Sequence, residues 1–179
     1  MAKKWSPPNH KPTPARAYLV TTFDDPAIYA GCKREIESIF GRADYESIAL
    51  DGDEFPSLYG PHSHRSLRLL SFKRQIAREE LVDLRKQTLN VEYKHQYQGR
   101  PLIEFDPGYI TEYAVVRSSL EDDFHRIYLY HGVYGETLYH YEKLSFQPTA
   151  HTPTCFKQKE VITFFNDLRL LLAADVQKS

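Results

Sequence analysis

The chain has 179 residues, of which 41% are hydrophobic and 26% charged, with a formal net charge of −1. That length fits one domain, and the near-neutral balance excludes whole-chain attraction to nucleic acid or to an anionic membrane surface. Two cysteines, Cys32 and Cys155, make neither a disulfide framework nor a zinc ribbon, and no apolar run reaches the ~20 residues that a membrane helix needs.

Residues 1–15 hold Pro7, Pro8, Pro12 and Pro14 among polar neighbours, which predicts a flexible tail ahead of a single α+β domain over residues 16–179. Lys3 and Lys4 have no apolar core behind them, so a cytoplasmic protein is expected. Residues 17–23 are rich in β-branched and aromatic side chains and read as a strand. Asp25 and Pro26 then supply a helix cap and a first helical position. Ile28, Cys32, Ile36, Ile39 and Phe40 recur at helical spacing, and Gly41 is the stop. Residues 44–50 read as a short strand and 51–64 as a long polar loop, a length often tied to function. Leu67, Leu69, Leu70 and Phe72 mark a third strand. Residues 78–93 form a second helix with Leu81, Leu84, Thr88 and Val91 on one stripe, and residues 102–105 a fourth strand. The basic residues Lys73, Arg74, Arg78, Arg85 and Lys86 alternate with acids around that helix and read as a solvated face. The order β-α-β-β-α-β predicts a ferredoxin-like antiparallel sheet with both helices on one side. Asp106-Pro107-Gly108-Tyr109 reads as a turn, with positive φ at Gly108 and Asp106 as its cap. A strand over residues 110–117, a β-hairpin and a closing helix over 160–174 then extend the sheet.

The hairpin carries the chemistry. Residues 124–130 and 133–141 alternate in polarity, and only His131-Gly132 separates them, a strong signal for a two-residue turn. The expected register sets Tyr130 opposite Val133 and His125 opposite Leu138. One face then holds His125, Ile127, Leu129, Tyr134, Glu136, Leu138 and His140, and the other Arg126, Tyr128, Thr137, Tyr139 and Tyr141. His125 and Glu136 are diagonal neighbours within side-chain reach. A histidine beside a carboxylate can shuttle protons with the acid orienting it, or share a metal. Equally, the two can be a hydrogen-bonded brace, because buried polar groups must be paired. The first reading makes a small-molecule site walled by Asp106, Tyr109, His125, Tyr134 and Glu136, for a nucleotide or another anionic metabolite. Hydrolysis through His125 and Glu136 is its catalytic form, and whether the protein is an enzyme stays open. Arg126 among tyrosines could bind an anion or stack a base. The alternative is a non-catalytic protein- or RNA-interaction module, or a homodimer, using Arg126, Tyr128, Tyr139 and Tyr141. The slightly acidic charge does not favour nucleic acid. His62 and His64 could share a metal, but further ligands at motif spacing are missing, so no metal is expected and the cofactor is unassigned.

Phe105-Asp106-Pro107-Gly108-Tyr109-Ile110-Thr111, His125-Arg126-Ile127-Tyr128-Leu129, Gly132-Val133-Tyr134, Glu136 and Ser145-Phe146-Gln147-Pro148 together resemble a prokaryotic family catalogued as domain of unknown function 4416. The resemblance covers nearly the whole chain and is most specific from residue 105 to 148. It departs at Thr152-Pro153-Thr154-Cys155-Phe156, where the family has an aromatic, acidic segment. It implies a shared fold and a shared site rather than an activity. The label of GTP-binding protein often attached to such sequences finds no P-loop here, since Gly52, Gly60, Gly99 and Gly108 are isolated and none precedes a Lys-Ser or Lys-Thr pair.

Overall fold

A computed structural model of the chain describes residues 12–13, 15–53, 55–57 and 65–176. Most of the proline-containing tail and the His62/His64 pair lie outside the described residues. Ala15 already opens the first strand, β1 (Ala15–Phe23), and every residue of β1 is buried. It is the central strand, with antiparallel partners on both sides, β4 (Ser66–Ile76) and β7 (Ile103–Ile110). Its side chains therefore alternate into two cores. Leu19 joins Ile36, Phe40, Phe72 and Phe105 on one face, while Tyr18 and Val20 join Val115, Leu138, Phe156 and Phe165 on the other.

The first face is covered by α1 (Pro26–Phe40) and α2 (Leu81–Lys94). The local signals for α1 act as expected: the Asp25 side chain accepts from the Ala27 N–H at 2.8 Å, Pro26 opens the helix, and Gly41 ends it at φ 89°. Tyr29, Cys32, Ile36 and Phe40 point inward. In α2 the buried stripe is Leu81, Leu84, Thr88 and Val91, but Arg85 and Glu92 are buried with it, so Arg85 is no part of a solvated face. The second face is covered by α3 (Lys159–Val176), whose Val161, Phe164, Phe165 and Leu168 fill that core. No helix among the described residues is long and apolar enough to cross a membrane.

The remaining elements are β2 (Ala43–Glu46), β3 (Leu50–Asp51), the small pair β5 (Gln96–Tyr97) and β6 (Arg100–Pro101), β8 (Ala114–Ser119), β9 (Ile127–Tyr130), β10 (Val133–Glu142) and β11 (Ser145–Pro148). Among the described residues the main sheet is antiparallel and nine-stranded, in the order β11-β10-β8-β7-β1-β4-β2, with β3 on β4 and β9 on β10. Four strands follow β7 where three were expected, and they carry the sheet well beyond a four-stranded core.

Two local expectations are corrected. Residues 106–109 form no turn. They lie inside β7, and Gly108 has no positive φ. The hairpin does have its turn at His131 (φ 53°) and Gly132 (φ 74°), as two-residue primed turns require, and Tyr130 does face Val133. A bulge after Val133 then sets Tyr134 opposite Tyr128. A second irregularity between Thr137 and Tyr139 turns Tyr139 inward. Each inserted residue reverses the faces that simple alternation assigns. Tyr139 is consequently fully buried, its hydroxyl donating to the Phe156 carbonyl, and it belongs to no surface tyrosine face.

Candidate functional site

Strands β7 and β8 are paired only from Gly108 to Ile110, opposite Arg117 to Val115. Towards its N-terminus β7 stays paired with β1 as far as Ile103, while its other side is open. Backbone groups on that side must find other partners. The Phe105 N–H donates to Glu92 Oε1 at 2.8 Å, and the Phe105 carbonyl accepts from Arg85 Nη1. Pro107, two residues on and facing the same way, has no N–H to satisfy, and its carbonyl accepts from Ser118 Oγ at 2.9 Å. A proline is tolerated in this interior strand because its missing donor faces the opening.

The parting of the strands leaves a cavity of about 40 Å³, space for roughly three water-sized groups. Its walls include Arg85 and Glu92 from α2, Glu104 and Asp106 from β7, and Arg117 and Ser118 from β8. Arg117, 3% exposed, is the hub. Its Nη1 donates to Asp106 Oδ2 at 3.0 Å and its Nε to Glu136 Oε2 at 2.8 Å, and the guanidinium lies 5.8 Å from the centre of the Phe156 ring. Asp106 also accepts from Ser118 Oγ at 3.3 Å. Glu136, 1% exposed, also accepts from Arg126 Nε at 3.2 Å and lies 3.1 Å from His125 Nε2. Arg126 is anchored in turn to the Glu121 carbonyl at 3.0 Å.

Environment separates these carboxyls. Burial alone would raise Glu136, but the guanidiniums of Arg117 and Arg126, with the His125 hydrogen bond, hold it below the ordinary carboxylate range. For Asp106 burial outweighs Arg117 and Arg85 and lifts its carboxyl. Burial pushes Glu92 up to about 7, against the pull of Arg85 and the Phe105 N–H.

His125, Glu136, Asp106 and Arg126 therefore converge, although not as alternation predicts. Residues 124 and 125 form a turn closed by the Arg126 N–H on the Asp123 carbonyl at 3.0 Å. His125 and Arg126 consequently share one carboxylate instead of facing apart. Tyr109 does not join them: it packs, half-buried, against the core beneath α1 and α2, because it alternates away from Asp106 along β7. Tyr134 lies opposite Ser119, half-buried and edge-on to Tyr128 at 5.2 Å.

His125 and Glu136 stand behind Arg117 and are not among the cavity walls. The Nε2 of His125 is engaged by Glu136, while its Nδ1 is buried without a hydrogen-bond partner among the described residues. The ring stacks on His151 at 4.4 Å. This arrangement braces the hairpin and fixes Arg117. His125→Ala is expected to lower stability by about 1.5–3 kcal/mol, the worth of a hydrogen bond to a charged group, and to speed amide exchange in Ile127–Tyr130. Hydrogen exchange by mass spectrometry checks this, and unchanged protection of β9 would contradict the bracing role.

Arg85 and Glu92 were not predicted as site residues. A signal for them existed: the two lie seven apart on α2, in phase with its apolar stripe, where a charged pair must be buried together. Among the described residues no group of three or more His, Cys, Asp or Glu side chains is placed to hold a metal ion.

The family model for the domain of unknown function DUF4416 matches residues 13–171, and the chain belongs to that family. The match spans every residue of the cavity and of the network behind it. Comparison with curated proteins and with solved structures finds no match.

Proposed function

We propose that this member of the domain of unknown function 4416 family binds a small polar molecule in the cavity where β7 and β8 part. One observation carries the reading: six charged side chains, Arg85, Glu92, Glu104, Asp106, Arg117 and Glu121, wall a space that two adjacent strands leave open. Burying ions is weak as a source of stability, and apolar packing of the same volume serves a fold as well or better. A concave site with convergent polar groups and shifted carboxyls is what ligand recognition uses. In this reading Asp106 and Arg117 touch the ligand, and Glu136, His125 and Arg126 hold Arg117 in place. Proton transfer, if the site is catalytic, falls more readily to Glu92, at about 7, than to the His125–Glu136 pair, whose carboxylate is held ionised.

The adjacency β7-β1-β4-β2, with α1 and α2 on one face, supports reading residues 15–110 as a ferredoxin-like unit carrying a β-sheet extension. The alternative function, a tyrosine and arginine docking face, has less support. Tyr139 is buried, Arg126 is bound to Glu136, and Tyr141 lies under the Arg169 guanidinium at 3.6 Å.

A thermal-shift screen of nucleotides, sugar phosphates, amino acids and organic acids tests the proposal, with every hit re-examined by NMR of the arginine side chains. The expected result is a hit that moves the Nε–Hε signals of Arg85 or Arg117. Hits that leave both unmoved, or a screen without hits, would contradict it.

A further inference from the structure

We infer that this cavity takes an oxoanion, a carboxylate or phosphate group, on the Nε edge of Arg85, and that Glu92 takes up a proton as it enters. The inference rests on the binding reading above and names the chemistry of what is bound.

Arg85 is 7% exposed. Both of its hydrogen bonds leave from Nη1, one to the Phe105 carbonyl and one to Glu92 Oε1 at 3.3 Å. Its Nε is buried with no hydrogen-bond partner among the described residues. A buried charged donor left unpaired is costly, so it points to a partner that arrives from outside the chain. The Nε and Nη2 groups form the edge on which a guanidinium grips a carboxylate or phosphate with two parallel N–H bonds, and neither hydrogen bond of Arg85 uses that edge. A volume of about 40 Å³ fits the terminal group of a ligand and not a whole nucleotide.

The charges around the cavity show why this position remains available. Arg117 and Arg126 are matched by Asp106, Glu136 and Glu121, and Glu104 is matched by Arg65. Arg85 has Glu92. Glu92 is faced by Arg85 on its own helix and by Glu104 and Asp106 on β7, and it shares the cavity walls with Arg117 of β8 and with Glu121. Because burial pushes Glu92 up to about 7, its neutral form is well populated near neutrality, and the carboxyl then left to act on Arg85 is that of Asp106, which is hydrogen-bonded to Arg117. An entering oxoanion supplies Arg85 with a counter-charge. Its own charge disfavours ionised Glu92 further, so binding and protonation are linked. Affinity for an anion of constant charge therefore rises as pH falls through about 7 and is lost as pH rises above it.

The test is an NMR titration of the full chain, following the Arg85 Nε–Hε signal, with sodium acetate, sodium phosphate and sodium chloride at matched ionic strength. Acetate serves for the pH comparison because its charge is constant between about pH 6 and pH 8. The expected result is a saturable shift with acetate or phosphate and none with chloride. A response to only one of the two assigns the ligand's terminal group. Acetate should bind about tenfold more tightly at the lower pH, as one unit of linked titration implies. Glu92→Gln, neutral at every pH, should bind acetate equally at both. Arg85→Lys keeps the charge and a donor for the Phe105 carbonyl but loses the two-pronged edge, and should weaken binding about tenfold with its circular dichroism spectrum unchanged. If neither oxoanion moves Arg85 beyond the chloride control, the inference is overturned. Should a neutral or cationic compound from the screen move Arg117 in that case, the cavity remains a binding site and only the oxoanion class falls. If no compound moves either guanidinium, both readings fall. Equal acetate affinity at both pH values in the unmodified chain overturns the proton uptake.

Discussion

Gly108→Ala is expected to destabilise the protein by about 3 kcal/mol, the upper end of the usual range for overpacking. A Cβ at this position would lie 2.2 Å from Tyr18 Cζ, 2.3 Å from the Tyr18 hydroxyl and 2.4 Å from the Val116 carbonyl oxygen. None of these is the free end of a flexible side chain. The Tyr18 ring is fully buried, its hydroxyl donates to the Val116 carbonyl at 3.1 Å, and the ring meets Phe165 of α3 edge-on at 4.9 Å. To accept a methyl group, β7 must move from β1 or from β8, and Gly108 is the β7 residue that faces Arg117, so the cavity would deform with it. Gly31 is the control: nothing lies within 4 Å of its Cβ position in α1, and Gly31→Ala should be neutral or stabilise by up to about 1 kcal/mol. Urea denaturation of the two variants checks this. A Gly108→Ala protein within about 1 kcal/mol of the unmodified chain would mean that the strands are not packed as described.

Arg117→Met should cost about 3–5 kcal/mol, the usual penalty for removing one partner of a buried ion pair. Glu136 would keep Arg126 and His125, but Asp106 would keep only the Ser118 hydroxyl. The sign of the pH dependence follows. Asp106 already has a raised folded-state pKa, and removing Arg117 raises it further. The folded variant then holds a proton that the unfolded chain releases, so stability is lost as pH rises and is partly recovered in acid. Replacing Arg117, Asp106 and Glu136 together by apolar residues of similar size should recover much of the loss. Denaturation curves at pH 5.5 and 8 test this, and a small loss independent of pH would contradict the account.

What the sequence disclosed and what it hid divide along physical lines. The α1 boundaries were legible because Asp25, Pro26 and Gly41 act within their own turn. The His131-Gly132 turn was legible for the same reason. Asp106-Pro107-Gly108 reads as a turn on local preference, yet tertiary structure overrides it: Pro107 faces an opening where no N–H is needed, and Gly108 leaves room for the Tyr18 ring. Neither requirement is written in neighbouring residues. The His125–Glu136 pairing was legible from spacing, while its completion by Arg117 and Arg126 was not, because it depends on a turn at residues 124 and 125 and on the pairing of β10 with β8. Counting alternate residues failed at Leu129 in β9 and again beyond Thr137 in β10 for the plain reason that a bulge inserts one residue. Arg85 was hidden among the charges on either side of it, Asp83 and Lys86, which make an apolar stripe look like a solvated face.

The most direct measurement is a crystal structure of the full chain grown from acetate at pH 6. The account predicts a carboxylate within hydrogen-bond distance of Arg85 Nε, in the opening between β7 and β8 beside Glu92 and Ser118. An opening closed by apolar packing, or one holding only water while acetate binds elsewhere, would contradict it.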